Sequence, residues 1–150
     1  MNSKAEIGAK EKRLAKDWFE ELRDIICGTF EKIELSQDSG PLLNSPPGTF
    51  ERKNTTRKDK NNQDGGGGVM SVMRNGRVFE KVGVNISTVY GDLEPLAQKS
   101  LSSRHDIPGL KDDPRFWASG ISLVAHMQSP KTPAVHMNTR MFWTPSMTWF

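Results

Sequence analysis

Cysteine is almost missing from this chain: Cys27 is the only one in 150 residues. A single thiol cannot close a disulfide within the chain or supply the paired cysteines of a zinc finger, and it suits a reducing compartment. Long apolar runs are missing too, so no segment reaches membrane-spanning length. The first residues, MNSKAEIGAKEKRLAKDW, hold no apolar segment and no small-residue cleavage site, which argues against a secretory signal and for the cytoplasm. Excess charge of one sign is small: 21 Lys and Arg against 18 Asp and Glu leave +3. That mild basicity favours an anionic partner without choosing among phosphate, nucleic acid and a carboxylated small molecule. What remains is a chain of ordinary globular composition, predicted to form one domain over 1–150 with a sizeable core.

Periodicity divides it. Leu14, Trp18, Leu22, Ile25, Ile26, Phe30 and Ile33 recur at helical steps and predict a core-facing helix over 9–34, with Cys27 as a small buried thiol beside the stripe. From 36 to 64 the pattern dissolves into a proline- and glycine-rich stretch and then a polar one, predicted as flexible loop. Its basic cluster, Arg52, Lys53, Arg57, Lys58 and Lys60, has no interleaved aromatic residue and is diluted by Glu51 and Asp59. A solvated loop therefore explains it better than a nucleic-acid arm. Four glycines, Gly65 to Gly68, lack the Lys-Ser/Thr of a phosphate-binding loop; they permit either close backbone approach or a flexible lead into a strand. Two β-prone runs then flank Asn75-Gly76, a pair predicting a two-residue hairpin turn. Residues 92–115 allow a short helical turn and a loop in which His105 is solvated.

The informative stretch is GISLVAHMQSPKTPAVHMNTR, residues 120–140, which holds two of the three histidines. Side chains alternate between the faces of a strand. One face of the first arm carries Trp117, Ser119, Ile121, Leu123 and Ala125; the other carries Ser122, Val124 and His126. In the second arm Val135, Met137, Thr139 and Met141 oppose His136, Asn138 and Arg140. The two prolines of MQSPKTP make that segment the connection. If the arms pair with residue numbers summing to an even value, Ser122, His126, His136, Asn138 and Arg140 share one face. A half-exposed sheet always shows a polar face. Solvent positions, however, favour Lys, Glu, Thr and Gln over a His-x-Asn-x-Arg row.

The segments GGGGVMSVMRNGRVFEKVGVNISTVYG, DPRFWASGISLVAHMQSP and PAVHMNTRMF resemble, in order and separation, the oxygen-dependent coproporphyrinogen III oxidases of haem biosynthesis, the alphaproteobacterial branch most of all. The resemblance covers 65–150 strongly and 12–35 weakly. It implies an α+β fold, a large antiparallel sheet with helices on both faces. It also implies a cytoplasmic homodimer that oxidatively decarboxylates two propionates of coproporphyrinogen III to vinyl groups. The product is protoporphyrinogen IX, dioxygen is the oxidant, and no organic cofactor, nucleic acid or membrane segment is involved. By position, Ser122, Asn138, Thr139 and Arg140 match substrate-contacting residues, Thr139 through its backbone, and His136 matches the proton donor. His126 and His136 match residues assigned in bacterial members to a divalent metal, often manganese. A basic polar insertion stands where many members carry Trp before the glycines, and HMQSP replaces their His-Pro and Asn-Pro. Members continue past TPSMTWF, so the chain is expected to be the N-terminal half of the fold. The competing expectation is a tetrapyrrole- or anion-binding module without turnover.

Overall fold

The structure, a computed structural model, describes residues 8–150; residues 1–7 of the stretch read for a secretory signal lie outside the described residues. Helix α1 (Ala9–Ser36) is followed by strands β1 (Phe50–Lys58), β2 (Asp64–Arg74) and β3 (Phe79–Asp92). Helix α2 (Pro95–Ser102) and strands β4 (Arg115–Met127), β5 (Val135–Trp143) and β6 (Thr148–Trp149) complete the order. The strands form one six-stranded antiparallel sheet in sequence order, β1-β2-β3-β4-β5-β6. Among the described residues no helix is long and apolar enough to cross a membrane.

The two faces of the sheet differ from the first residue of each strand. On one face Met73, Val82, Val84, Ile86, Ile121, Leu123, Ala125 and Met141 are buried against Ala15, Phe19 and Cys27 of α1. The opposite face is covered only at one end. There a second, smaller core of Leu93, Ile107 and Leu110 joins α2 to Phe116, Phe142 and Trp149. The two helices thus lie on opposite sides, as expected for the fold class.

Three expectations need correction. Leu22, Ile26 and Phe30 of the predicted stripe pack on the core. Leu14, Trp18 and Ile25, however, are 54%, 50% and 51% exposed, and Ile33 is exposed as well. The contact line on the sheet is narrower than the apolar arc, and a charged residue, Arg23, is buried along the helix. Second, residues 50–58, placed in the flexible loop, are strand β1, paired from Phe50↔Met73 to Lys58↔Asp64. A polar sequence holds this strand because it lies at the sheet edge, where the ladder to β2 supplies order and little apolar burial is needed. Residues 59–63 form the hairpin tip, where Asp59 Oδ1 accepts from the Asn61 and Gln63 N–H groups at 2.8 Å each.

Third, the β2–β3 turn is longer than two residues. Asn75 alone of the Asn-Gly pair has positive φ, at 53°, and the Gly76 N–H donates to the Phe79 carbonyl at 2.9 Å. The cause is remote in sequence. Glu34, on the last turn of α1, is fully buried. Its carboxylate accepts backbone N–H bonds from Gly48 at 2.8 Å, Arg77 at 2.5 Å, and Val78 and Phe79 at 2.9 Å each. Burial alone would raise the Glu34 pKa, but the four N–H donors outweigh it and hold the carboxyl below its ordinary value. A Cβ on Gly76 would meet this carboxylate at 2.4–2.7 Å, which is why glycine stands there.

Candidate functional site

The β4–β5 register decides whether the polar residues converge. The arms pair Gly120↔Arg140, Ser122↔Asn138 and Val124↔His136, all with numbers summing to an even value. The predicted face therefore exists, and it extends across β1 to β3 in continuous rows. One row reads Thr55, Gly68, Ser87, Gly120, Arg140; the next reads Lys53, Met70, Asn85, Ser122, Asn138. A third reads Glu51, Val72, Gly83, Val124, His136. His126 lies opposite Lys81 one row further on. Thr139 pairs with Ile121 and its side chain lies on the core side, so only its backbone is available to the polar face.

Small residues cut this face into a trough. Ser87, Gly120 and Ser122 sit between longer neighbours, leaving a hollow of about 140 Å³ bordered by Asn85, Ser122, Asn138 and Arg140. A second hollow of about 290 Å³ continues from it past Ser87, Gly120 and Arg140 to Phe116 and Phe142. Gly120 is required at the junction. A Cβ there would meet the Thr139 carbonyl oxygen at 2.6 Å and Arg140 Cβ at 3.1 Å, pushing aside the strand that carries the guanidinium.

Ser122, Asn138 and Arg140 thus meet at one hollow. His126 and His136 do not border it. They are exposed on the same face, further along the strands. Residues four apart on a strand are separated by about 14 Å at 3.4 Å per residue, so His136 and Arg140 touch a common ligand only if it is long on that scale. His126 is diagonal to His136, a spacing of about 7–8 Å that long side chains bridge. Two imidazoles are nonetheless fewer than the three protein donors of the simplest catalytic metal site. Among the described residues no group of three or more His, Cys, Asp and Glu could hold an ion. The donor set present does not by itself fit a metal, and no step is routed through one.

Arg140 and Lys53 on this face enter no ion pair among the described residues. The ion pairs among the described residues lie elsewhere, joining Asp24 to Arg23 and Arg52, Lys16 to Glu20, and Asp113 to Arg115. Arg52 meets Asp24 at 2.8 Å on the helix side of β1, whereas Lys53 belongs to the trough row. The basic cluster is therefore split between two faces and forms no continuous strip for a polyanion.

Sequence reasoning missed Asn85. It lies between Met70 and Ser122 in the second row, and its Oδ1 is buried with no hydrogen-bond partner among the described residues. A carboxamide in the middle of the apolar alternation Val82, Val84, Ile86 was the available signal. A larger hollow of about 510 Å³ lies on the α1 side of the glycine strand, beside Lys16, Asp64 and Tyr90. None of the predicted site residues borders it.

Against this geometry, known proteins give one consistent answer. The family model described as coproporphyrinogen III oxidase matches residues 14–150. An oxygen-dependent coproporphyrinogen-III oxidase of Rickettsia bellii (strain RML369-C) is 48% identical over 141 residues, covering 94% of this chain and 45% of that protein. Its counterpart in Rickettsia felis is 47% identical over 139 residues, covering 93% of this chain and 44% of that protein. The chain thus spans less than half the length of these relatives.

Proposed function

We propose, for a chain that belongs to the coproporphyrinogen III oxidase family, that the trough binds the propionate-bearing edge of coproporphyrinogen III for oxidative decarboxylation. The observation that carries the reading is the convergence of Ser122, Asn138 and Arg140 on one hollow. A guanidinium grips a carboxylate through two parallel N–H donors, a geometry lysine cannot reproduce. Ser122 and Asn138 orient the gripped propionate or donate to a neighbouring group of the ring. His136, reached by the far part of the macrocycle, gives or takes a proton.

The chemistry balances for each propionate. The bond between carboxyl carbon and α-carbon breaks and releases CO2. Its electron pair becomes the vinyl double bond as a hydride equivalent leaves the β-carbon. Dioxygen accepts that hydride equivalent and one proton to become hydrogen peroxide. The chain's own contribution is positioning, charge neutralisation and proton handling. A homodimer, a cytoplasmic setting and the absence of an organic cofactor belong to the same proposal; sedimentation of the full chain checks the first.

The test is conversion of coproporphyrinogen to protoporphyrinogen by the full chain and by its His136→Ala and Arg140→Ala variants. The reading expects both variants to be strongly impaired, and unimpaired turnover in both removes it. Oxygen uptake separates catalysis from binding alone: binding of the porphyrinogen without oxygen consumption in the unsubstituted chain would favour a non-catalytic module.

A further inference from the structure

The glycine run and the basic β1 segment are two features that the decarboxylation chemistry leaves without a role, and the structure joins them. Thr55 belongs to the trough row ending in Arg140. Two residues on, at the irregularity between Thr56 and Lys58, stands Arg57. It borders the same hollow of about 290 Å³ as Arg140, together with Ser87, Val89, Phe116 and Phe142. Arg57 and Arg140 start four strands apart, about 19 Å at 4.8 Å per strand. Arg57 reaches the hollow because β2 is bare where it must be crossed. Gly66 and Gly68 pair with Val89 and Ser87 and carry no side chain to fill the path. A Cβ at either position would collide with a β3 carbonyl oxygen, that of Thr88 or of Ile86. Gly66 also has φ of +95°, which L side chains rarely adopt. The β3 backbone thus demands glycine at both positions, and the surface between Arg57 and the hollow carries no β2 side chain there.

We infer that Arg57 is a second carboxylate-binding residue of the trough, bracketing with Arg140 an apolar floor of Val89, Phe116 and Phe142. The ligand class it selects is a flat apolar body carrying carboxylates on two of its edges. Among the described residues Arg57 enters no ion pair, so its charge is available, and its exposure makes substitution structurally mild. The inference deepens the proposed function and depends on it: Arg140 holds one propionate while Arg57 holds another, so that a single propionate is presented for reaction at a time.

The test uses the full chain and coproporphyrin, the oxidised tetracarboxylate that binds without turning over, beside a porphyrin ester lacking free carboxylates. Affinity is measured by fluorescence for the unsubstituted chain, Arg57→Gln, Arg57→Lys and Arg140→Gln. Loss of a charge-assisted hydrogen-bonded pair predicts at least about tenfold weaker coproporphyrin binding by Arg57→Gln. Arg57→Lys should recover only part of it, and the ester should bind all four chains equally. In turnover, Arg57→Gln should raise KM for coproporphyrinogen more than it lowers kcat. If Arg57→Gln binds as the unsubstituted chain does while Arg140→Gln is weakened, Arg57 has no such role and the proposed function survives. If neither substitution weakens binding, the trough itself is the wrong site. Equal weakening toward the ester would show a structural effect and overturn the carboxylate assignment.

Discussion

Arg140 and Met141 are neighbours in sequence, yet one is exposed over a polar trough and the other is 2% exposed beneath α1. The same alternation runs from Val82 to Ile86 in β3 and from Ile121 to His126 in β4. The helix-covered face is built for packing: Val82, Val84, Ile121 and Leu123 are buried beneath Phe19 and Cys27. The trough face carries side chains whose value there is hydrogen bonding and charge, separated by small residues that hold the surface open. Because the side-chain period is two, a slip of one residue in the β4–β5 pairing would move every one of these groups to the wrong layer. The polar face is thus held in register by burial on the other.

Substitutions should break this contrast in a definite order. The largest effect belongs to the polar face: His136→Ala should lower kcat of the full chain by about 10²–10⁴-fold, the usual worth of a positioned proton-transfer group, with the melting temperature unchanged. On the core side, Phe19→Ala should cost about 3–5 kcal/mol of stability by chemical denaturation, since the ring is fully buried and its cavity cannot collapse completely. Glu34→Ala strands four backbone donors, two buried and two partly buried, and should cost about 3 kcal/mol or more.

Acid sharpens the same point. Because the folded Glu34 pKa is depressed, its contribution is present above the unfolded value of about 4.3 and is lost as pH falls through the lower folded value. The denaturation midpoint of the unsubstituted chain should therefore drop more steeply below that pH than that of Glu34→Gln. The smallest effect is expected from Arg52→Ala: its pairing with Asp24 is exposed and should contribute less than about 1 kcal/mol.

The β4–β5 hairpin was legible in the sequence because two signals agreed there, alternation in both arms and a proline-marked connection. The even-sum register then placed Ser122, His126, His136, Asn138 and Arg140 on one face without further information. Strand β1 was not legible, since an edge strand can be polar on both faces and is specified by its partner β2 through backbone pairing. The turn at Asn75 was misread for a related reason. Its shape answers to Glu34, whose carboxylate lies 41 or more residues away in the chain, and local turn rules carry no trace of such a partner. The stripe on α1 was overread because periodicity reports which residues are apolar but not how wide a surface the sheet presents to them. Asn85 was not legible because its decisive signal is a buried acceptor without a donor, which only the folded chain displays.

One comparison tests the division between faces most directly: melting temperature and kcat/KM measured together on the full chain for Arg140→Gln and Met141→Ala. The account predicts opposite signatures. Arg140→Gln should lose kcat/KM with its melting temperature intact, and Met141→Ala should melt lower while retaining kcat/KM at temperatures where it stays folded. Matching losses of both quantities in the two variants, or activity that survives Arg140→Gln, would contradict it.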